Sequence, residues 1–203
     1  HDALPISNWL EPMASRFGNG LWASIRQRGC AGVTAAAPSI FVAKFDGSNG
    51  AIGWAKLLGI PARLDPVTNK NVPTYDIKPQ VASDGTNVYL LSAYGGTIDL
   101  GGGFLDGTGT MPLVAAALTG AGAHIWSKKL GDFTNGVFLS LAADSTGPIL
   151  AGDLKGGAML NLGNGALSVV PDGMFIGRMS AAAGAGSWSN KFPSAEVRGL
   201  NVD

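Results

Sequence analysis

The sequence predicts an all-β protein built from a repeated unit, and three observations carry this prediction. Apolar runs of four to eight residues alternate with turns rich in Gly, Asn, Asp and Pro along the 203 residues. No window shows an apolar stripe with helical spacing over three turns. Tryptophan recurs in three similar segments, as Trp54, Trp126 and Trp188, at intervals of 72 and 62 residues. We expect four antiparallel strands per unit, which is the blade of a β-propeller.

Each tryptophan segment is predicted to form a hairpin. Residues 41–45 pair with 51–56, 114–118 with 123–128, and 175–179 with 185–190, and a turn of small residues separates the two halves. In a propeller, a tryptophan at one fixed position per blade would fill the gap between neighbouring blades. We therefore interpret Trp54, Trp126 and Trp188 as core residues and not as aromatic platforms for sugars.

A second repeated element lies between the tryptophans. Residues 81–84, 141–144 and 200–203 each end in aspartate, at Asp84, Asp144 and Asp203, with spacings of 60 and 59 residues. A catalytic acid does not need to recur in every unit, so we interpret these carboxylates as structural caps that bind turn amides through Asx-type hydrogen bonds. A third, Gly-rich element recurs at 96–101 and 157–163.

These markers divide the chain into units. We expect blades at 40–110 and 111–170 and the start of a truncated blade at 171–203, which makes the chain a propeller fragment of about two to three blades. Residues 8–39 are unplaced, with part of a preceding blade as one interpretation. Cys30 is interpreted as a buried small hydrophobe, with a bridge to a part outside this sequence as the alternative. Residues 1–7 resemble a translated sequencing-adaptor remnant, with an ordinary frayed terminus as the alternative, and are set aside from fold reasoning in either case.

Composition and charge narrow the function classes. Lys and Arg together number 14, as do Asp and Glu, and a chain without net charge is not expected to bind nucleic acid. Two histidines and one cysteine exclude a three-histidine zinc site, a four-cysteine site and an internal disulfide. The uncharged stretch 107–127 is long enough to span a bilayer, but its glycines, threonines, proline and histidine predict two strands and a turn instead.

Few residues are candidates for chemistry, and no catalytic or cofactor-binding residue is assigned. His124 lacks an identifiable carboxylate to orient it as a base, and Gly101-Gly102-Gly103 is interpreted as a turn after a strand. Asp46 and Ser48 place oxygens at alternate positions of a tight loop, so calcium is a minor hypothesis. A plain hairpin turn is favoured over a calcium site, because the loop has one carboxylate and the corresponding turns of the other units have none. The basic residues are interpreted as a solvated outer edge: Lys44, Lys56, Lys128, Lys129 and Arg178.

Three segments resemble a known repeat family. Residues 41–54, the run Trp-Ser-Lys-Lys-Leu-Gly at 126–131 and the run Asn-Val-Tyr-Leu at 87–90 are similar to bacterial β-propeller repeats of secreted and surface proteins, such as those of deltaproteobacteria. The resemblance covers residues 40–203. Where the family usually has larger residues and a lysine, this chain has alanine at 115–117.

The resemblance implies an extracytoplasmic, non-enzymatic scaffold that binds or displays a protein or glycan. The remaining blades of the same chain are expected as further partners, and no catalytic set is implied. The alternative is part of a quinoprotein-like or lyase-like propeller enzyme with its active site outside this fragment. Residues 50–54 and 122–126 loosely fit the Gly-x-x-x-Trp signature of quinone-binding propellers, so binding of pyrroloquinoline quinone or calcium would favour this alternative. A repeat-array module without a small ligand is the third interpretation.

Overall fold

The structure describes most of the chain from residue 40 onward and two short segments before it. A computed structural model describes residues 14–17, 20–26, 40–59, 79–94, 98–107, 111–133, 138–154, 159–168 and 172–202. These ranges contain sixteen strands and no helix, so the predicted all-β class is confirmed. It follows that they hold no helix with the length and apolar character needed to cross a membrane. The expectations for residues 1–7, for Cys30 and most of 8–39, and for Asp203 lie outside the described residues.

All paired strands are antiparallel. In chain order they are β1 (Ala14–Phe17), β2 (Gly20–Arg26), β3 (Ile40–Asp46), β4 (Ile52–Leu58), β5 (Gln80–Ser83), β6 (Asn87–Ala93), β7 (Ile98–Asp99), β8 (Phe104–Leu105), β9 (Met111–Thr119), β10 (His124–Phe133), β11 (Leu139–Asp144), β12 (Gly147–Leu154), β13 (Met159–Asn161), β14 (Ala166–Ser168), β15 (Gly173–Met179) and β16 (Gly186–Pro193).

Three larger sheets organise these strands. The first sheet has the order β1-β2-β3-β4, the middle sheet β5-β6-β9-β10-β13-β14, and the last sheet β11-β12-β15-β16. β7 and β8 form a separate pair. Each larger sheet therefore contains a run of four strands, and none of the sheets in the described ranges closes on itself. The middle sheet has six strands because the hairpin β13–β14 adds to the outer edge of β10, and pairing an edge strand satisfies its free amides and carbonyls.

The three hairpins predicted from the tryptophan segments are present as β3–β4, β9–β10 and β15–β16. The stretch 107–127 contains all of β9 and the start of β10, which confirms the predicted two strands and a turn. The sheets are offset from the sequence units, since the expected boundaries at 110/111 and 170/171 fall between β8 and β9 and between β14 and β15.

The strands β6 and β9 at the centre of the middle sheet are buried on both faces. Successive side chains of a strand point to opposite sides, and on β9 Ala115 and Ala117 pack toward the last sheet whereas Val114 and Ala116 pack toward the first. Small alanines suit a strand that is covered on both sides, because the neighbouring sheets approach closely. The first strands of the sheets also lie side by side, with β5 contacting both β1 and β11.

Candidate functional site

Among the described residues, five hairpin turns gather at one end of the sheets, and we call this end the turn face. It consists of the turns at 46–51, 84–87, 119–123, 144–147 and 180–185. Two pairs of these turns, each within one sheet, are joined by backbone hydrogen bonds: the Gly120 amide donates to the Thr86 carbonyl at 2.8 Å, and the Ala181 amide donates to the Thr146 carbonyl at 3.3 Å. The turn face is therefore a connected surface held by the ends of paired strands.

Two tryptophans bind turns of the following sheet at this end. Trp54 Nε1 donates a hydrogen bond to the Gly120 carbonyl at 3.0 Å, which links the first sheet to the middle one. Trp126 Nε1 donates to the Ala181 carbonyl at 2.8 Å, which links the middle sheet to the last one. In both cases the acceptor is the residue that follows the first position of the turn. Equivalent indoles thus make equivalent contacts between successive sheets.

A glycine lies under each of these two indoles. Gly122 has φ +82° and Gly184 has φ +58°, a backbone region that favours glycine. A Cβ built on Gly122 would lie 3.1 Å from the Trp54 ring, and one on Gly184 would lie 2.6 Å from the Trp126 ring. Glycine is needed at these positions both for the turn and for the close approach of the indole.

A β-bulge precedes each of the three tryptophans. The pairing registers skip one residue, at Gly53 before Trp54, at Ile125 before Trp126 and at Ser187 before Trp188. Because a bulge twists its strand and redirects the next side chain, it aims each indole away from the regular alternation. The three tryptophans therefore occupy one structural position, on β4, β10 and β16.

The environments of the three indoles nevertheless differ. Trp126 is 7% exposed and lies near the Tyr89 ring, with 6.4 Å between the ring centroids, while Trp54 is half-buried. The interpretation of Trp188 as a core residue is wrong, because its side chain is 38% exposed and no turn among the described residues covers it. Trp188 thus has the bulge of the other two tryptophans without the turn that covers them.

Asp84 caps the turn between β5 and β6 and binds a buried tyrosine. Its Oδ1 accepts hydrogen bonds from the amides of Thr86 at 2.8 Å and Asn87 at 2.6 Å, and its Oδ2 accepts one from the Tyr89 hydroxyl at 2.7 Å. Burial alone would raise the pKa of Asp84, but these hydrogen bonds outweigh burial and hold it below the usual 3.8. Burial and the bond to Asp84 raise the pKa of Tyr89 well above its usual 10, so its hydroxyl remains a donor.

Asp144 occupies the corresponding turn, between β11 and β12. Its Oδ1 accepts hydrogen bonds from the Thr146 amide and hydroxyl, at 2.9 and 2.6 Å. The Arg178 guanidinium donates to both carboxylate oxygens, at 2.6 and 2.7 Å. The bond with Arg178, followed by that with Thr146, holds the pKa of Asp144 well below its usual range. The interpretation of Arg178 as part of a solvated edge is wrong, because its side chain is only 19% exposed and forms a two-pronged ion pair.

The calcium candidates lie in the exposed turn at 46–51. Asp46 Oδ1 accepts hydrogen bonds from the Ser48 amide at 2.8 Å and the Ser48 hydroxyl at 2.6 Å, and Asn49 Oδ1 accepts one from the Ala51 amide at 2.8 Å. The hydrogen bonds from Ser48 lower the pKa of Asp46. These oxygens cap the turn itself, and within the described ranges no three His, Cys, Asp or Glu side chains group as metal ligands.

His124 and the triple glycine lie together beside β10. His124 Nε2 is 3.2 Å from Ser127 Oγ, and a side chain on Gly102 would overlap the imidazole ring. The nearby Asp99 carboxylate accepts hydrogen bonds from the amides of Gly101 and Gly103, at 2.7 and 3.1 Å, and so closes the glycine turn. The histidine therefore packs on the turn that the sequence placed after a strand.

Sequence reasoning missed the partners of the two aspartates. Tyr89 follows Asp84 by five residues across a tight turn, and this short spacing is a signal that could have linked them. Arg178 is 34 residues from Asp144, and only the pairing of β12 with β15 brings the two together. The β-bulges were also missed, since no special residue type marks all three.

Comparison with known proteins adds no relative: no protein-family model, no curated protein and no solved structure matches the chain.

Proposed function

We propose that the chain is a β-propeller repeat scaffold, without catalysis of its own, that binds or displays a protein or glycan partner in an extracytoplasmic protein. The observation that carries this proposal is the indole-to-turn contact. It joins the first sheet to the middle sheet through Trp54 and the middle sheet to the last through Trp126, at the same position of each sheet.

Each run of four antiparallel strands would be one blade. Three features support this: successive sheets pack face to face, their first strands lie side by side, and one contact is repeated between them. Radial stacking of four-stranded sheets around an axis produces this combination. The strands β13–β14 would then act as an arm that extends one blade onto the outer edge of the blade before it.

The turn face is the binding surface that we propose. Turns fixed by paired strands present side chains on a rigid base, and loops on rigid scaffolds carry binding functions. The exposed positions of the turn face are mostly small or carry hydroxyl and amide groups, among them Ser48, Asn49, Thr86, Ser145 and Thr146. Such groups suit hydrogen bonding with sugar hydroxyls or with a peptide backbone. The extracytoplasmic location rests on the family resemblance.

The test is a screen of the purified chain against a glycan array and a displayed peptide library. The double variant Thr86→Lys, Ser145→Lys places charge and bulk on the turn face, and Ala166→Lys, Ser168→Lys does the same on β14 as the matched control. We expect a ligand whose binding falls at least about tenfold, or 1.4 kcal/mol, in the turn-face variant and is unchanged in the control. Binding that ignores the turn face would contradict the proposal. A rise in Tm with pyrroloquinoline quinone and calcium would favour the enzyme alternative.

A further inference from the structure

The described residues include three equivalent indoles and three equivalent hairpin turns, and two indole–turn pairs form among them. Trp54 binds the turn at 119–123 and Trp126 binds the turn at 180–185. This leaves the indole of Trp188 at one end of the series of sheets and the turn at 46–51 at the other.

The turn at 46–51 has the same hydrogen-bond pattern as the occupied turn at 180–185, and the occupied turn at 119–123 has the same two bonds with one residue fewer. The Asp46 amide donates to the Ala51 carbonyl and the Gly50 amide donates to the Asp46 carbonyl, both at 2.8 Å. The corresponding bonds in the occupied turns start at Thr119 and Ser180 and measure 2.7 to 3.0 Å. Gly50 has φ +73°, between the values for Gly184 and Gly122. The carbonyl that corresponds to the two indole acceptors is that of Gly47.

The space above this turn is open. A Cβ built on Gly50 meets no described residue within 4 Å, whereas the equivalent positions on Gly122 and Gly184 meet an indole ring. Ile52, two residues further on, is 44% exposed. The turn therefore has the shape of an occupied turn and a free apolar surface beside it.

The opposite end of the molecule offers the complementary surface. Trp188 follows a β-bulge, as Trp54 and Trp126 do, and is 38% exposed. Phe192 is four residues further along β16, hence on the same face of the strand, and is 47% exposed. Exposed aromatic residues on one face of an edge strand mark an interaction surface.

We propose that Trp188 of one copy docks on the turn at 46–51 of a second copy. Its indole donates a hydrogen bond to the Gly47 carbonyl and lies over Gly50. This contact between two copies has the same form as the contacts that Trp54 and Trp126 make within one chain. A second copy is the occupant because this chain itself carries both halves of the contact. Such an interface is head-to-tail, and it forms a closed ring if the rotation between copies permits. The proposal rests on the proposed function, since it extends the same blade-to-blade contact.

Two substitutions remove one half of the contact each. Trp188→Ala deletes the indole, and Phe104→Ala is its control, because Phe104 on β8 is 71% exposed and takes no part in the contact. Gly50→Asn adds a side chain where the indole must lie, and Asn tolerates a positive φ. Gly85→Asn is the control, because Gly85 has φ +90° and equally open surroundings.

Sedimentation velocity over a wide concentration series is the measurement. We expect the unaltered chain and both controls to associate, and Trp188→Ala and Gly50→Asn each to weaken association by about tenfold or more. An equimolar mixture of these two variants should recover association up to a dimer, because one intact indole then meets one intact turn. Two results would overturn the proposal. One is a monomer at every concentration, which would leave the surface to another partner. The other is association that neither Trp188→Ala nor Gly50→Asn weakens.

The internal contacts give an independent readout. Trp54 and Trp126 are unchanged in all four variants, so their circular dichroism spectra should match that of the unaltered chain. If the isolated chain stays monomeric while the Trp126 contact still contributes to stability, only the docking proposal fails. If removal of the Trp126 contact has no effect on stability, the stacking on which the proposed function rests fails as well.

Discussion

Replacement of the turn glycines by alanine should destabilise the protein in an order set by the indole above each glycine. Gly50, Gly122 and Gly184 have φ values of +73°, +82° and +58°, so the backbone cost of adding a Cβ is similar at all three, about 1 to 2 kcal/mol. What differs is the space: open at Gly50, 3.1 Å to the Trp54 ring at Gly122, and 2.6 Å to the Trp126 ring at Gly184. The three sites therefore separate backbone strain from contact with the indole.

The size of the additional effect follows from the freedom of each ring to move. Trp54 has an equivalent hydrogen bond, to Gly120, but its ring is half-buried and can still shift by a few tenths of an ångström, so Gly122→Ala should cost little more than Gly50→Ala. Trp126 is 7% exposed, packs near Tyr89 and is tethered by its hydrogen bond to Ala181. Overpacking against a confined ring typically costs a further 1 to 3 kcal/mol, so Gly184→Ala should lose about 3 kcal/mol in total.

Equilibrium unfolding in urea, followed by circular dichroism, measures this order. The series is best made in the Trp188→Ala background, so that no second copy covers Gly50. The expected difference between Gly184→Ala and Gly50→Ala is about 2 kcal/mol, or roughly 4 to 8 °C in Tm for a chain of this size. Equal losses at the two positions would refute the close indole-to-turn contact at Gly184.

The other predictions concern the paired aspartates and the buried indole. Tyr89→Phe leaves one oxygen of Asp84 without its hydroxyl donor and should cost about 1 to 3 kcal/mol in urea unfolding. Because the folded-state pKa of Asp144 is lowered, its contribution to stability is present above the usual pKa of 3.8 and is lost as the pH falls below that value. Arg178→Gln should therefore make stability depend less steeply on pH below 4, and an unchanged acid unfolding profile would contradict this. Trp126→Phe should lose the hydrogen bond to the next turn, about 1 kcal/mol, and Trp126→Ala about 3 to 5 kcal/mol, both read from thermal unfolding.

Local patterns were enough to predict the hairpins. The tryptophan segments combine apolar runs with small-residue turns, and β3–β4, β9–β10 and β15–β16 form where those patterns occur. Pairing between distant segments was not predictable in the same way. The strands β13 and β14 have three residues each, too few for a recognisable alternation, and their addition to β10 depends on an edge that only the folded middle sheet provides.

The candidate site shows the same division between local and distant causes. The caps of Asp84 and Asp144 bind amides within three residues, and the sequence indicates such turns directly. The ion pair of Asp144 with Arg178 depends on how two strands align, and composition alone makes an arginine look like a surface residue. The half-buried position of Arg178 follows only from the pairing of β12 with β15.

The three tryptophans explain why a repeated motif does not guarantee a repeated environment. Each indole is aimed by a bulge in its own hairpin, so its direction is a local property that recurs with the sequence. Its burial is a property of the turn that it meets, and that turn belongs to the next sheet. Trp126 contacts a glycine-containing turn and is buried, whereas Trp188 follows the same kind of β-bulge and remains exposed. The indole that donates the hydrogen bond and the turn that accepts it are both formed by local sequence. A sheet with such a hairpin therefore presents one indole and one acceptor turn at its turn face, whichever its position among the sheets. The ends of such a series are therefore the places where further sheets can be added, whether from the same chain or from another copy.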